Sequence, residues 1–134
     1  MQAHIDQASH NEEFHTCIDG TFPDKFYDWK ITVLFYTALH WIHALAEQRH
    51  IDIGRTHTDV ASNCNPKRNN GSMPISKNAW SHYNSLWNYS YTARYEGITD
   101  IATFEKLKQT DHKFALENVD FLRKYVTGQG LPIK

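Results

Sequence analysis

The stretch Phe26–Glu47, FYDWKITVLFYTALHWIHALAE, decides the fold. It contains neither Gly nor Pro, and as one helix it would run about 33 Å. At about 100° per residue, six apolar side chains share one face: Ile31, Leu34, Phe35, Ala38, Ile42 and Leu45. A second line of side chains, which we name the ring stripe, lies on the opposite face: Trp29, Val33, Tyr36, His40, His43 and Glu47.

The composition of the ring stripe distinguishes this helix from an ordinary surface helix. A surface helix has one apolar stripe with charged residues behind it. Here the second face is aromatic and imidazole, and Lys30 and Glu47 are the only charges after Asp28. We therefore predict a central helix that is covered on both sides. One side would meet the main core, and the other a second helix, a partner subunit or a polar pocket.

Length and charge place limits on the class of protein. The 134 residues form one domain (1–134) with enough chain to bury a core. The net charge of −1 creates no global attraction to nucleic acid or to a membrane. His40 and His43 interrupt the longest apolar run, and MQAHIDQASHNEEF lacks the layout of a signal peptide. We expect a cytoplasmic protein without a membrane partner. Cys17 and Cys64 are too few for a disulfide framework.

Apolar periodicity and stop signals predict three further long helices. The first ends at Asp19-Gly20, and no strand pattern competes anywhere. The predicted fold is all-α, an up-and-down bundle of four main helices plus a short helix in the 55–65 region. Residues 63–75 form a loop that is either functional or mobile, and 129–134 a loose tail. The four main helices are predicted at 3–18, 26–47, 77–95 and 101–126.

Histidines on the central helix raise the question of a metal site. His40 and His43, with Glu47 one turn on, share a helix face, and His57 or His82 would supply a further ligand. Bundle metal sites of the di-iron type need Glu-x-x-His on two helices, and this chain has none. We favour hydrogen-bonded imidazoles in a half-buried aromatic interface, and we expect neither a metal nor another cofactor.

Arginine is the second candidate for ligand chemistry. Arg94 lies on the inward stripe of the 77–95 helix, so it needs a carboxylate, a carbonyl or an anion as partner. Glu47 or Asp28 would serve as a structural partner, and a phosphate is the alternative. A local basic cluster flanks the loop beside His50 and His57, and it is the most plausible place for RNA or nucleotide phosphates. Its members are Arg49, Arg55, Lys67 and Arg68.

Four further motifs follow one another along the chain. They are His-Asn-Glu-Glu-Phe at 10–14, Asp28-Trp29 followed by Leu-Phe-Tyr-Thr-Ala-Leu-His at 34–40, Thr56-His57, and Ala-Arg-Tyr-Glu-Gly at 93–97. In this order they resemble the HEPN (higher eukaryote and prokaryote nucleotide-binding) domain family. The resemblance spans nearly the whole chain. It implies a compact up-and-down bundle that often dimerises, and a family that includes toxin RNases and non-catalytic partners of nucleotidyltransferases.

The RNase members of that family carry an Arg and a His with four to six residues between them. Here seven residues separate Arg49 from His57, and one separates Arg55 from His57. Position 60 is Val, where related sequences have Arg three residues after the loop His. These departures weigh against metal-independent RNase activity.

Our leading hypothesis is a non-catalytic, homodimeric HEPN-like module associated with a nucleotide or RNA. It would pair with a nucleotidyltransferase, or belong to a toxin–antitoxin or phage-defence system. The dimer face or pocket would include the following residues: Trp29, Tyr36, His40, His43, Arg94 and Tyr95.

Two alternatives stay open. One is an RNase that uses His57 as general base, with Arg49 or Arg94 stabilising the transition state. The other is a metal-dependent bundle enzyme that resembles the DinB-like group, with His40 and His43 as ligands.

Overall fold

The computed structural model describes residues 1–95 and 101–133, apart from the side chain of Tyr95. All regular structure in these residues is helical, which confirms the all-α prediction. The helices are α1 (Gln2–Thr21), α2 (Tyr27–Gln48), α3 (His57–Cys64), α4 (Lys77–Tyr95) and α5 (Ile101–Gly128). The short α3 lies in the predicted 55–65 region. None of the described helices combines the length and hydropathy that a membrane span requires.

Contacts between helix ends establish the up-and-down topology. His4 near the start of α1 meets Glu47 at the end of α2, whereas Asp19 at the end of α1 meets Lys30 near the start of α2. These two helices are therefore antiparallel. The pairs His82–Asn118 and Thr92–Lys108 show that α4 and α5 are also antiparallel. α2 contacts α1, α4 and α5, so it is the hub of the bundle.

The predicted core face of α2 is confirmed. Its six apolar residues are all buried, and they pack in one cluster with residues of α4 and α5 such as Tyr83, Leu86 and Leu122. Within one chain the opposite face is only partly covered. Trp29 is 61 % exposed, Tyr36 is 38 % exposed, and Glu47 is also exposed.

The α1–α2 turn is tied together by a buried lysine. Lys30 has no solvent exposure, and its Nζ donates to the Phe22 carbonyl at 2.6 Å and lies 3.0 Å from Asp19 Oδ1. This contact holds the last turn of α1 in place. α1 therefore continues through Gly20 to Thr21, and the predicted stop at Asp19-Gly20 is wrong.

A pair of buried histidines joins the first helix to the last. His15 Nε2 lies 2.9 Å from His112 Nε2. Burial lowers the pKa of both imidazoles, that of His112 to about 4. One neutral ring therefore donates to the other. An ion pair between Glu12 and Arg123 lies along the same interface.

The irregular segments pack against the bundle. In the 63–75 loop, Met73 and Ile75 are buried, and their N–H groups donate to the carbonyls of Asn63 and Cys64. The prediction of a loose tail is wrong for residues 129–133. Leu131 is only 2 % exposed because its N–H is bonded to the Val126 carbonyl, which folds the chain back onto the core.

Replacing Lys30 by Met tests how much the buried contacts of its ammonium group contribute to stability. The change keeps an apolar stem of similar length but leaves the Phe22 carbonyl and Asp19 without their partner. We expect the free energy of unfolding to fall by about 2 kcal/mol, measured by urea denaturation. Lys25→Met is the matched control, because Lys25 is exposed. Equal midpoints for the two variants would contradict the assignment.

Candidate functional site

The ring stripe borders two recesses that share Tyr36 and His40. One recess is a cavity of about 860 Å³ beside the end of α2. The other is a smaller groove of about 380 Å³ between α1 and α2. The rest of the α2 surface is mostly buried against neighbouring helices. The stripe is therefore the part of α2 from which ligand contacts can be made.

Apolar and imidazole side chains line the large cavity. Its apolar lining includes Leu39, Ala46 and Ile53, all of which are buried. The segment that follows α2 closes the cavity with Gly54 at φ +79 and Arg55 at the rim. This turn is held by Asp59, whose carboxylate accepts from the backbone N–H groups of Arg55 and Thr56. Because Thr56 caps α3 in return, the α3 capping box fixes the position of the cavity rim.

Three histidines form one wall of this cavity. His4 Nδ1 lies 2.9 Å from His40 Nδ1, and the His4 ring stacks on that of His43 with 5.2 Å between centroids. Burial lowers the pKa of His40 and His43, and the nearby His4 lowers both further. Glu47 acts in the opposite direction on the pKa of His43. The wall thus matches the predicted half-buried, hydrogen-bonded imidazoles.

The same geometry does not favour a metal. His4 directs Nδ1 at His40, whereas its other nitrogen, Nε2, lies 3.2 Å from Glu47 Oε1. The two partners are thus on different sides of one ring. Of the other proposed ligands, His57 bonds to Tyr83 and His82 to Asn118. Throughout residues 1–95 and 101–133, no group of three or more His, Cys, Asp or Glu side chains is arranged to hold a metal ion.

The smaller groove is mainly apolar and opens along the first half of the ring stripe. Phe14 of α1 and Trp29 of α2 are both exposed at its edges, and Val33 and Tyr36 line it. Gln7 and Asn11 supply amide groups and bond to each other at 3.0 Å. Exposed aromatic side chains around an apolar recess are typical of a protein–protein contact.

His57 packs against α4. Its Nδ1 is 3.0 Å from the Tyr83 hydroxyl, and its ring stacks on Trp87 with 4.2 Å between centroids and 9° between planes. Burial lowers the pKa of His57 to about 4, and the charge of Arg94 acts in the same direction. His57 is therefore neutral at physiological pH and a weak base.

The arginines proposed to work with His57 have different partners. Arg94 donates from Nη1 to the Tyr36 hydroxyl at 2.9 Å, and its guanidinium lies 5.6 Å from the centre of that ring. Arg49 donates to Gln129 Oε1 at 2.6 Å. The structure thus joins Arg94 to the ring stripe and ties Arg49 to the end of the chain.

Sequence reasoning missed His4, whereas it included Tyr95 in the predicted dimer face or pocket. His4 belongs to the cavity because α1 runs antiparallel to α2, which brings the start of one helix beside the end of the other. Its position near the start of α1 becomes informative only once this antiparallel packing is known. Tyr95 ends α4, and its side chain, like residues 96–100 of the Ala-Arg-Tyr-Glu-Gly motif, lies outside the described residues.

Comparisons with protein-family models, with curated proteins and with solved structures found no match for this chain.

The environment of His57 predicts an unusual titration. Its folded pKa is lower than that of an unfolded histidine, so its contribution to stability is present above about pH 6.5 and is lost as the pH falls towards 4. We expect an NMR titration midpoint of about 4 for the His57 ring. Arg94→Gln should raise that midpoint by removing a nearby cation. Arg68→Gln, at an exposed loop position, is the control and should not change it. A wild-type midpoint at the ordinary histidine value would contradict the structure.

Proposed function

We propose that this chain is a non-catalytic, HEPN-like interaction module that forms a homodimer and associates with a nucleotide or RNA. The observation that carries the proposal is the ring stripe. It is an aromatic and imidazole line, left accessible on a helix whose other faces are mostly buried, and it borders both an apolar groove and a large cavity.

The apolar groove supports the dimer. Trp29, Tyr36 and Phe14 are exposed there without charged side chains among the groove residues. Two copies related by a two-fold axis would bury the same patch on each subunit, which is how most homodimers assemble. Trp and Tyr are also the residues most enriched among the strongest contributors to such interfaces.

The large cavity supports nucleotide or RNA association. Its volume of about 860 Å³ lies within the range of small-molecule sites, roughly 300 to 1,000 Å³. Its imidazole and Tyr36 rings offer stacking surfaces for bases. Arg55 stands at the rim, and Lys67 and Arg68 are exposed on the loop that follows α3, where phosphates would be bound.

Two features favour a non-catalytic role. A base with a pKa of about 4 is poorly matched to proton transfer near neutral pH, and the ring nitrogen of His57 already contacts Tyr83. Arg49 is bonded to Gln129. The RNase alternative therefore rests on the proximity of His57 and Arg94.

The same proposal includes three further points. They are a nucleotidyltransferase partner, a role in toxin–antitoxin or phage-defence systems, and a cytoplasmic location.

Sedimentation equilibrium tests the dimer. We expect the wild-type chain to be dimeric at micromolar concentration, and Trp29→Ala to weaken association by about 30-fold, because truncating an interface hot spot costs about 2 kcal/mol. Leu107→Ala is the matched control, since Leu107 is similarly exposed but lies on α5. A monomeric wild-type chain, or equal effects of the two substitutions, would refute the proposed dimer face.

Fluorescence anisotropy with a short labelled RNA tests the second half of the proposal. We expect binding without cleavage, and Arg55→Ala should reduce the slope of log affinity against log salt by about 1. Lys113→Ala, at an exposed position on α5, should leave the slope unchanged. RNA fragments that appear with the wild-type chain and disappear with His57→Ala would replace the proposal by the RNase alternative.

A further inference from the structure

The contact between His4 and Glu47 restricts where His4 can carry its proton. A carboxylate is only an acceptor when ionised, and the Met1 amino group, which hydrogen-bonds to Glu47, lowers the pKa of that carboxyl. A lone pair on His4 Nε2, 3.2 Å from Glu47 Oε1, would face a negative charge. The hydrogen of a neutral His4 ring therefore belongs on Nε2.

This assignment determines the tautomer of His40. A neutral imidazole has one N–H and one lone pair, so His4 Nδ1 is an acceptor. His40 Nδ1, 2.9 Å away, must then be the donor. It follows that the remaining nitrogen of His40, Nε2, carries a lone pair. Glu47, His4 and His40 thus form a relay in which each ring donates towards the carboxylate.

The end of the relay is available to a ligand. The His40 ring is half-buried and lines both the cavity and the groove. Within the described residues, Nε2 of His40 makes no hydrogen bond. The charged groups around this wall are Glu47, the Met1 amino group, Asp52, Arg55 and Asp59. Arg55 is exposed, and it is the only Arg or Lys among the described residues that line the cavity.

We propose that His40 Nε2 is a hydrogen-bond acceptor that recognises an N–H donor on a nucleobase, so that the base rather than the phosphate enters the imidazole wall. This inference rests on the proposed nucleotide association. It adds that the ligand is recognised through its base and that His40 Nε2 is the recognising atom. A phosphate oxygen presents lone pairs and negative charge. It therefore cannot donate a hydrogen bond to the lone pair of His40 Nε2, and the nearby Glu47 carboxylate would repel it. The phosphate belongs at Arg55.

Nitrogen-15 NMR of the histidine rings tests the relay without any ligand. At pH 8 we expect His4 in the Nε2–H form and His40 in the Nδ1–H form. His4→Phe removes the acceptor for the His40 N–H and should shift His40 towards the Nε2–H tautomer. His50→Asn is the control, because His50 lines the same cavity outside the relay, and it should leave His40 unchanged. An Nε2–H tautomer of His40 in the wild-type chain would overturn the proposal.

Calorimetric titration tests the ligand class. Adenosine 5′-monophosphate should bind at least about tenfold more tightly than purine riboside 5′-monophosphate, which lacks the amino donor, because an unmet donor–acceptor pair has a cost of this size. His40→Phe should abolish the difference, and His50→Asn should keep it. Inorganic phosphate should not shift the His40 resonances. Equal binding of the two nucleotides, or phosphate binding at His40, would overturn the inference.

The outcomes separate the two proposals. If labelled RNA binds but adenosine monophosphate does not, the acceptor role of His40 is refuted and the RNA-associated function stands. If neither the RNA nor adenosine monophosphate binds, both the nucleotide or RNA function and the ligand class assigned to this wall are refuted.

Discussion

The burial of α2 is the constraint on which the rest of the structure depends. α1, α4 and α5 all pack against this one helix. Close approach from three directions requires small side chains at the contacts, and Thr37, Ala38, Ala44 and Ala46 are all buried. The neighbouring helices therefore decide which line of α2 keeps contact with solvent. That line is the ring stripe, so the surface with the most distinctive chemistry is defined by the packing of the core.

The two recesses on this surface are not independent. Tyr36 and His40 line both, and Tyr36 is also held by Arg94 of α4. A ligand in the cavity and a second copy seated on the groove would contact the same two side chains. Any shift of these rings on binding at one recess would change the affinity of the other by a reciprocal amount. The charge of Arg94 also acts on His57, which stacks on Trp87.

Much of this architecture was predictable because α2 has a clear periodicity. Residues such as Ile31 and Leu45 repeat at helical spacing and proved buried, and the positions of α3 and α4 followed from local patterns. The missed features depend on contacts between distant segments. Lys30 extends α1 past its glycine, and His4 joins the imidazole wall only through the register of α1 on α2. Neither contact leaves a local signature in the sequence.

The histidine pair between α1 and α5 has a consequence for how the chain reaches this state. His15 and His112 are separated by 97 positions, and Arg123 of α5 meets Glu12 and lies over the Trp41 ring. The α1–α2 hairpin can assemble early during synthesis because its contacts are between adjacent helices. The inner apolar surface of this hairpin is nevertheless covered only when α5 packs against it. A nascent chain therefore exposes part of the apolar surface of this half-bundle until α5 has been synthesised.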